Sequence, residues 1–543
     1  MRVSNDTIAE RLEAFATLLE LAESSPYASR AYRRAAETIR ATPASVAALA
    51  REGRAAELRG VGPGIARRIE ELVGTGRIAE LDELEDTVRP ELVALGRLLG
   101  VAPKRMIEVA RALDVTTAEE FRRAAAAGRL QSAPGVGPKT EARLLERLDR
   151  PATRPRDAVL LHRARSLVGD LAAALGGESA GDPRRWADEC HALAVVVPAD
   201  DPAPVVEAFA DHPLVITLVE REVRRAVGVA LDGVPVELVV AEPASLGAAL
   251  VRATGTRAYV EALGALPAGP SEEDVYAALG LPWCPPELRE QPFTGVPPAL
   301  VALSEIRGDL HCHTTWSDGR ASVLELGVAA RARGYEYVAI CDHTRNVRVV
   351  PGLDADDVRR QGEEIAAANE ELAPFRILRG TEADILADGS LDLPDDVLAE
   401  LEWVQISLHA GQRDSRDRLT KRVVEAMRHP AASCLSHPHG RIVNHRPPNA
   451  LDLDAVLETA LETGIAVETN GLPSRLDLSG DGVRRAVEAT TETPASTDAH
   501  SVAGLGNMAL AVATARRGWA TPRDVVNTRP LARLLAARGD SPS

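Results

Sequence analysis

The N-terminal part of the chain follows a helical pattern of apolar and polar positions. Apolar side chains such as Ile8, Leu12 and Phe15 recur at steps of three and four residues, which places them on one face of a helix. A second helix is predicted over residues 29–39, and further helices flank the turns described next. The pattern predicts an all-α domain over residues 1–150.

Two similar glycine-rich turns interrupt this helical pattern, and each opens onto a new helix. They read Gly60-Val61-Gly62-Pro63-Gly64 and Gly135-Val136-Gly137-Pro138-Lys139, with a weaker copy over 99–104. Glycine permits positive φ, and the free amides at a helix start can hold a phosphate oxygen. A single turn of this kind is usually a plain helix cap, but the repetition favours helix-hairpin-helix DNA binding. Such turns hold the DNA backbone without reading its sequence. The predicted DNA contacts are Gly60, Gly62, Gly64, Gly135, Gly137 and Lys139.

The pattern changes after the Pro-rich stretch 150–157, which we interpret as a linker. A helix is predicted over 158–175, and four short apolar runs typical of strands follow it. These runs cover residues 193–197, 214–218, 226–231 and 234–240. The segment 151–290 is therefore predicted to be a separate α+β domain.

From residue 305 onward, apolar strand-like runs alternate with helical segments, the pattern of a parallel sheet or barrel. Seven of these runs end at residues that can ligate a metal ion. The residues at these ends are His311 and His313, Asp342 and His343, Glu382, His409, His437, Glu468, and Asp498 and His500. The carboxyl ends of parallel barrel strands share one mouth, so ligands far apart in sequence would converge there. The pattern predicts a metal cluster within residues 300–535.

Composition limits the class of protein. A chain of 543 residues is too long for one hydrophobic core. No apolar run approaches the ~20 residues of a membrane span, and the N-terminus lacks the basic and apolar regions of a signal peptide. The five cysteines are odd in number and scattered, which is typical of reduced thiols. We therefore predict a cytoplasmic protein that does not contact a membrane.

The distribution of charge decides where nucleic acid could bind. The net charge of −17 argues against DNA binding by bulk charge. The first 150 residues, however, contain 24 Lys and Arg against 23 Asp and Glu, so the acidic excess lies in the remainder. The N-terminal third is the expected DNA-binding region, through individually placed contacts. An acidic remainder suits a site that holds cations.

The C-terminal motifs resemble those of the PHP domain, named for polymerase and histidinol phosphatase. The matching motifs are Asp309-Leu310-His311-Cys312-His313, Ser317-Asp318-Gly319, Asp342-His343, Gly380-Thr381-Glu382-Ala383-Asp384, Ser407-Leu408-His409, His437-Pro438-His439-Gly440-Arg441, Glu468-Thr469-Asn470 and Thr497-Asp498-Ala499-His500. With the hairpins and the α+β block, almost the whole chain resembles the bacterial family X DNA polymerases. The resemblance implies a multidomain α/β chain. Its parts would be a helix-hairpin-helix domain (1–150), a nucleotidyltransferase-like palm and thumb (151–290) and a distorted (β/α)7 PHP barrel (300–535).

The resemblance also implies three divalent metal ions, Zn²⁺ or Mn²⁺. The first ion would take His311, His313, Glu382 and Asp498; Glu382 would bridge to a second held by His409 and His437; and Asp318, His343 and His500 would hold the third. Mixed imidazole and carboxylate ligands disfavour Mg²⁺ and Ca²⁺, which prefer oxygen. Glu382 and Asp498 are the predicted catalytic residues. Arg441 is a candidate phosphate contact, with an ordinary surface arginine as the alternative.

The palm block departs from the family at its catalytic residues. Active relatives resemble one another in an Ala-Gly-Ser-x-Arg-Arg motif for the triphosphate and a following Gly-Asp-x-Asp pair for Mg²⁺. Here Asp182 stands at the serine position, Ala192 and Ala194 stand at the aspartate positions, and Glu237 remains as the third carboxylate. Alanine cannot ligate a metal ion, and Asp182 would repel a triphosphate. We therefore predict no template-directed synthesis.

A second departure lies in the helix after the first hairpin. Relatives with 5′-deoxyribose-phosphate lyase activity use a lysine there as a Schiff-base nucleophile. The corresponding residue is Arg68, whose side chain stays protonated. Lyase activity by that route is not expected.

The sequence thus predicts a metal-dependent phosphoesterase of the DNA-repair type. The expected activity is a 3′→5′ exonuclease that also could cut at abasic sites. One alternative is an active gap-filling polymerase, which Ala192 and Ala194 oppose. A small-molecule phosphatase similar to histidinol phosphatase is another, although it would not need DNA-binding hairpins. The last is a non-catalytic DNA-binding protein whose ions are structural.

Overall fold

The structure is a computed structural model that describes residues 5–21, 26–41, 46–58, 60–88, 90–149, 158–230, 233–347 and 351–536. Its contacts divide the chain into two compact units. One comprises Met1–Arg156, Leu167–Glu178 and Ala192–Pro243, and the other comprises Asp157–Ser166, Ser179–His191 and Ala244–Ser543. The predicted palm and thumb segment is thus divided between both units. The linker predicted over 150–157 lies outside the described residues.

The first unit begins with an all-α region, as predicted. Its described residues form α1 (Asn5–Leu21), α2 (Pro26–Ala41), α3 (Val46–Arg51), α4 (Pro63–Thr75), α5 (Ala79–Val88), α6 (Pro90–Leu98), α7 (Pro103–Leu113), α8 (Ala118–Ala126) and α9 (Pro138–Asp149). The apolar positions that predicted α1, namely Ile8, Leu12 and Phe15, are fully buried. Phe15 packs edge-on against Tyr32 of α2, with ring centroids 4.8 Å apart. The helical periodicity therefore identified the core face correctly.

The α+β block follows. Its elements are β1 (Val159–Leu160), α10 (Leu161–Leu175), β2 (Glu178–Gly181), α11 (Asp182–Arg185), β3 (Glu189–Cys190), β4 (Leu193–Pro198), α12 (Ala203–Ala210), β5 (Thr217–Arg221), β6 (Arg225–Val229) and β7 (Pro235–Ala241). Within the first unit, β4 pairs parallel with β7, β7 antiparallel with β6, and β6 antiparallel with β5.

Two predicted boundaries in this block were wrong. The segment predicted as one helix over 158–175 opens with the short strand β1, which pairs antiparallel with β3 through Val159 and Cys190. The strand predicted over 214–218 starts later, at Thr217. Here the amide of Val215 donates to the carbonyl of His212 at 2.8 Å. This turn bends the chain around Pro213 before the strand can begin.

The second unit continues with three short helices and then the C-terminal strands and helices. These elements are α13 (Leu246–Thr254), α14 (Arg257–Leu263), α15 (Glu272–Ala278), β8 (Gly308–Cys312), α16 (Val323–Ala332), β9 (Tyr337–Ile340), α17 (Ala355–Leu372), β10 (Arg376–Asp384), α18 (Asp395–Leu398), β11 (Trp403–Ser407), α19 (Arg416–Met427), β12 (Cys434–Leu435), α20 (Leu453–Thr463), β13 (Ala466–Val467), β14 (Thr469–Asn470), α21 (Gly480–Glu488), β15 (Ala495–Ser496), α22 (Met508–Arg517) and α23 (Leu531–Ala536).

The C-terminal strands form a curled parallel sheet that follows chain order. Strands β8 to β13 pair in sequence, and β14 pairs parallel with β15. Only Glu468 separates β13 from β14, and a parallel bridge between Cys312 and Ala499 links the chain after β15 back to β8. Among the described residues, the pairings therefore lead through seven strand positions, and the predicted barrel-like fold is confirmed. Every residue of β8, β9 and β11 is buried, as expected for parallel strands covered by helices.

No helix in the described part of the chain has both the length and the apolar character needed to cross a membrane.

Candidate metal centre

The ends of the curled sheet bring together all nine side chains that the sequence predicted as metal ligands. They are His311, His313, Asp318, His343, Glu382, His409, His437, Asp498 and His500. His311 lies in β8 and His313 follows it, and the intervening Cys312 points into the apolar core. Because side chains alternate along a strand, the two imidazoles share one face, and their Nε2 atoms lie 3.1 Å apart.

Glu382 lies at the middle of the cluster and turns its two oxygens toward different histidines. Its Oε1 lies 3.0 Å from Nε2 of His437 and 3.6 Å from Nε2 of His409. Its Oε2 lies 3.5 Å from Nε2 of His311 and 3.7 Å from Nε2 of His313. A carboxylate in this position can bridge two cations, which is the role that the sequence predicted for it.

Asp318 and Asp498 each approach His313 and His500. Asp498 Oδ1 lies 3.1 Å from Nε2 of His313. Asp318 Oδ2 lies 3.3 Å from Nε2 of His500, and its Oδ1 lies 3.8 Å from Nε2 of His343. His313, Asp318, His343 and His500 each offer one ligand atom, and these atoms all lie within 4.8 Å of one another.

Several buried atoms of the cluster have no hydrogen-bond partner within the described residues. They are Nδ1 of His313, Nδ1 of His343, Oε2 of Glu382 and Nδ1 of His409. His343 Nδ1 lies 2.9 Å from Glu382 Oε2, yet the two atoms do not meet hydrogen-bond geometry. Buried polar atoms are rarely left unpaired, and divalent cations at the centre would give a partner to Oε2 of Glu382 and to the ring nitrogens that face it. The donor set therefore fits divalent metal ions.

The electrostatics of the cluster favour the ionisation states that metal ligands need. Burial raises the pKa of Glu382, but His343, His311 and His409 outweigh burial and hold it well below its usual range. Burial and the nearby rings of His500 and His343 lower the pKa of His313 to about 3. Burial also lowers the pKa of His311, but the carboxylates of Glu468, Glu382 and Asp498 raise it well above its usual value. The cluster thus combines ionised carboxylates with a neutral His313, and a metal ion would displace the proton of His311.

Two of the nine residues have a backbone conformation that side chains other than glycine rarely adopt. The φ angle is +24° at His437 and +53° at Asp498. Such conformations cost on the order of 1–3 kcal/mol and persist only where the surroundings enforce them. Here the amide of His437 donates to Glu468 Oε2 at 2.8 Å, and Nδ2 of Asn470 donates to Asp498 Oδ2 at 3.1 Å.

The structure adds supporting carboxylates that the sequence reasoning did not include among the site residues. Glu468 Oε1 lies 2.7 Å from Nδ1 of His311, and Asp384 Oδ1 lies 3.5 Å from Nδ1 of His409. Such partners fix the orientation of a ligating imidazole and increase its basicity. Both residues stand in the motifs quoted above, at the strand ends. The sequence signal that could have identified them is an acidic residue within a motif that also supplies, or neighbours, a predicted ligand.

Arg441 is buried, since its side chain is about 10% exposed. The alternative of an ordinary surface arginine was therefore wrong. The guanidinium donates to Asp188 Oδ2 at 2.6 Å, to the carbonyl of Arg475 at 2.8 Å and to the carbonyl of Leu476. These contacts engage Nε and Nη2 of Arg441, and its role as a phosphate contact stays a prediction.

In the first unit, the positions expected to hold the polymerase metal pair offer no ligand pair. Ala194 in β4 lies beside Glu237 in β7, in parallel register. The carboxylate of Glu237 accepts a hydrogen bond from Nε of Arg225 at 2.5 Å. The remaining carboxylate is therefore paired with a cation of its own sheet.

In the second unit, the short helix α11 carries the residues expected to contact a triphosphate, and each is engaged. Asp182 accepts from the amide of His191 at 2.6 Å and from the guanidinium of Arg185. Arg184 forms an ion pair with Glu272 of α15, with Nη1 and Oε1 2.6 Å apart.

The two glycine-rich turns have the geometry that the sequence predicted. Gly60 and Gly135 have φ angles of +82° and +72°, and α4 and α9 begin directly after Gly62 and Gly137. A side chain at Gly62 or Gly137 would meet no atom within 4 Å, so both turns border open space. Gly64 lies in the first turn of α4, and Lys139 is exposed in the first turn of α9.

Arg68, on the helix after the first turn, lies against two aromatic rings. Its guanidinium carbon is 5.1 Å from the ring centroid of Phe15 and 5.7 Å from that of Tyr32. It also pairs with Glu80 and donates to the carbonyl of Gly64 at 2.9 Å. In this chain Arg68 therefore helps to pack the N-terminal helices.

The fold and the cluster together define a PHP-like domain joined to helix-hairpin-helix modules in one chain. Residues 3–78 match the helix-hairpin-helix domain family, residues 92–150 match the SAM-like helix-hairpin-helix tandem, and residues 249–290 match the thumb of DNA polymerase beta. The helix-hairpin-helix and thumb matches indicate that the chain binds DNA.

Similarity to known proteins identifies the family. The DNA polymerase/3′-5′ exonuclease PolX of Bacillus subtilis (strain 168) is 31% identical, over 96% of this chain and 97% of that protein. The chain therefore belongs to the bacterial family X DNA polymerases of the PolX type. Probable phosphatases of Syntrophotalea carbinolica (28% identical, 40% of this chain, 90% of the relative) and Caldicellulosiruptor saccharolyticus (29%, 30% and 64%) are similar to its C-terminal part. These findings support a DNA-processing enzyme.

Proposed function

We propose that this chain is a metal-dependent 3′→5′ exonuclease that acts through the C-terminal centre, and that its palm does not synthesise DNA. The observation that carries the proposal is the convergence of nine ligand side chains, with Glu382 among them, and four of their buried atoms are unpaired in the described part of the chain. The PolX relative bears both activities in its name. The proposal assigns only the hydrolytic one to this chain.

Three divalent ions, Zn²⁺ or Mn²⁺, fit the donor set. His311, His313, Glu382 and Asp498 would hold the first; Glu382, His409 and His437 the second; and Asp318, His343 and His500 the third. Such ions activate water and neutralise charge on a phosphodiester. Glu382 would set their spacing, because each of its oxygens faces a different group of histidines.

The exposure of the ligands indicates where the substrate would approach. The side chains of His311, His313 and Glu382 are at most 1% exposed, whereas those of Asp318 and His500 are 25% and 32% exposed. The phosphodiester would therefore enter past Asp318 and His500. Deeper in the centre, the low dielectric strengthens the attraction between the phosphate and its cations.

The absence of polymerase activity follows from the palm residues. Ala192 and Ala194 supply no oxygen for Mg²⁺, and Glu237 already accepts a hydrogen bond from Arg225, which also pairs with Glu220. The arginines of α11 already have carboxylate partners, Asp182 for Arg185 and Glu272 for Arg184. A triphosphate would have to break these buried ion pairs, which is costly.

The two glycine-rich turns would hold the DNA backbone without reading its sequence. Their open space and the exposed Lys139 support phosphate contacts. The hairpins would hold the strand while the C-terminal centre removes nucleotides.

The proposal is tested on a 5′-labelled primer annealed to a template, with Mn²⁺ and with or without dNTPs. We expect shortening from the 3′ end that EDTA stops, no extension with dNTPs, and no shortening by His311→Ala or Asp498→Ala. A strand with an internal abasic site tests endonuclease activity in parallel. Extension of the primer, or shortening that persists in both variants, would contradict the proposal.

A small-molecule phosphatase is the second candidate, because the probable phosphatases are similar to the C-terminal part of the chain. The helix-hairpin-helix modules oppose this candidate, since a soluble metabolite needs no DNA-binding turn. Histidinol phosphate in the same assay separates the two. Hydrolysis of this phosphomonoester without any shortening of DNA would favour the phosphatase.

A further inference from the structure

Asp188 lies between α11 and β3, next to the residues expected to contact a triphosphate, yet its partners belong to the C-terminal region. Its Oδ2 accepts from Nη2 of Arg441 at 2.6 Å, and its Oδ1 accepts from Nη1 of Arg517. The three side chains are each at most about 10% exposed. One buried carboxylate therefore pairs with two buried arginines that lie far apart in sequence.

Arg441 connects this carboxylate to the turn between β14 and α21. It follows the ligand His437 by four residues. Its Nε donates to the carbonyl of Arg475 at 2.8 Å, and its Nη2 also donates to the carbonyl of Leu476. The guanidinium of Arg441 thus holds the end of the turn over residues 472–476, while the amide of Val443 donates to the carbonyl of Ser474 within it at 2.9 Å.

The same turn is close to the metal centre. Only Gly471 separates it from Asn470, whose Nδ2 donates to both Glu468 Oε2 (3.2 Å) and Asp498 Oδ2 (3.1 Å). The side chain of Arg475 returns toward the centre, with its Nε 4.0 Å from Asp498 Oδ2. A continuous set of contacts therefore runs from Asp188 through Arg441 and this turn to Asp498.

The two arginines do not depend equally on Asp188. Arg517 has a second carboxylate, since its Nη2 lies 2.7 Å from Glu290 Oε1. Within the described residues, Asp188 is the one carboxylate in contact with Arg441. Loss of its charge would leave Arg441 buried with carbonyl partners alone, which is unfavourable for a cation. The consequence should fall on Arg441 and on the turn that it holds.

We infer that Asp188 is a positioning residue for the metal centre. Through Arg441 it fixes the turn over 472–476, and with it the placement of Asn470 and Arg475 beside Asp498. A segment that contacts nucleotide in polymerising relatives would then serve hydrolysis in this chain. The effect on turnover rests on the proposed function, whereas the effect on metal affinity does not.

The test uses the full chain with Asp188→Asn, Asp188→Glu and Arg441→Gln. The matched control is Glu189→Gln, because Glu189 is adjacent and its side chain is 50% exposed. Turnover of bis(p-nitrophenyl) phosphate is measured against substrate and Mn²⁺ concentration, and Mn²⁺ affinity is measured separately by calorimetry. We expect Asp188→Asn to lower kcat or Mn²⁺ affinity by about 2–30-fold, as for residues that act on a site through intermediate contacts, with KM changed much less.

Variants that keep the charge of Asp188 or remove its partner Arg441 test whether Asp188 acts through Arg441. Asp188→Glu should restore most of the loss, and Glu189→Gln should match the wild type. Asp188→Asn combined with Arg441→Gln should be no worse than either single variant, because both break one set of contacts. Independent, multiplying losses in the double variant would overturn the inference, as would wild-type kcat and Mn²⁺ affinity in Asp188→Asn.

Two further results keep the inference testable. If Asp188→Asn does not fold, Arg441→Lys replaces it as the test. Lysine retains the charge opposite Asp188 but cannot reach both carbonyls, so the same loss is expected. Wild-type behaviour of Arg441→Lys would then overturn the inference. If the wild type hydrolyses neither DNA nor the probe, the proposed function fails. The Mn²⁺ affinities of the variants would still decide the role of Asp188.

Discussion

The palm sheet and the C-terminal sheet each contain a glutamate on a strand, Glu237 in β7 and Glu382 in β10. The two carboxylates differ in the side chains that surround them. In the palm, the carboxylate of Glu237 is matched by Arg225 at 2.5 Å. In the C-terminal sheet, Glu382 is surrounded by imidazoles, and its Oε2 finds no hydrogen-bond donor among the described residues. Glu237 thus has a permanently charged arginine beside it, which it shares with Glu220. Glu382 has imidazoles beside it instead, and their ring nitrogens can ligate a cation.

Residue type alone therefore does not identify a metal site. The partners distinguish a carboxylate that lies beside an arginine from one that lies beside several imidazoles able to ligate a metal ion.

Replacing the central carboxylate should have the largest effect. We expect Glu382→Gln to lower exonuclease turnover by about 10³-fold, which corresponds to about 4 kcal/mol, because both oxygens face the ligating histidines. The measurement is Mn²⁺-dependent shortening of labelled DNA. Glu458→Gln, on the exposed face of α20, is the control and should match the wild type. Comparable activity in both variants would place the chemistry elsewhere.

Restoring the palm carboxylates should not restore synthesis. We expect the double variant Ala192→Asp with Ala194→Asp to extend no primer with dNTPs and Mg²⁺, because Arg225, Asp182 and Glu272 still hold the remaining charged groups in ion pairs. Its exonuclease activity should stay within about twofold of the wild type, since neither alanine is among the nine predicted metal ligands. Primer extension by this variant would show that the two alanines alone silence the palm.

The carboxylate behind His311 should have an intermediate effect. Glu468→Gln keeps the shape but removes the charge that lies 2.7 Å from Nδ1 of His311. We expect a loss of about 10–100-fold in Mn²⁺ affinity or turnover. Calorimetric titration with Mn²⁺ together with turnover measures both. An unchanged affinity and rate would mean that His311 needs no support from this side.

Metal removal should lower the stability of the C-terminal sheet. At a free Mn²⁺ concentration 100 times the Kd, binding stabilises the folded state by about 2.7 kcal/mol, which for a region of this size corresponds to a rise in Tm of roughly 5–10 °C. Thermal unfolding with Mn²⁺ and with EDTA gives the difference. Glu382→Gln should show a much smaller rise. Equal shifts in both proteins would indicate that Mn²⁺ binds at some other place.

The smallest effect is expected at Arg68. Its contacts with Phe15 and Tyr32 are each worth about 0.5–1 kcal/mol, so Arg68→Met should lower the stability of the N-terminal helices by about 1–2 kcal/mol. Denaturant unfolding measures this loss. The wild type should also give no borohydride-trapped adduct with an abasic 5′-phosphate substrate. A clear adduct would reveal a nucleophile other than the residue at this position.

The sequence predicted the site better than it predicted the local boundaries. The strand ends at His311, Glu382 and His437 were identifiable because each followed an apolar run, and a parallel barrel forces such ends together. The helices around the glycine-rich turns were also predictable, because glycine and proline mark the turn and the start of the next helix. These features depend on local patterns or on a general property of the fold.

Other features depend on contacts between distant residues and could not be read from local patterns. β1 exists because Val159 pairs with Cys190, and no periodicity within 158–175 reports that partner. Arg441 had a plausible motif, but its burial against Asp188 depends on a segment more than 200 residues earlier. The contact between His311 and Glu468 likewise joins residues 157 positions apart in sequence, and it forms only because the order of the strands brings them together. Tertiary pairing decided each of these cases.

The central claim is that hydrolysis remains in this chain while synthesis is lost. The most direct measurement is a single reaction in which a 5′-labelled primer on a template is incubated with dNTPs and Mn²⁺, for the wild type and for Glu382→Gln. The wild type should only shorten the primer, and Glu382→Gln should leave its length unchanged. A primer that grows longer with either protein would contradict this claim.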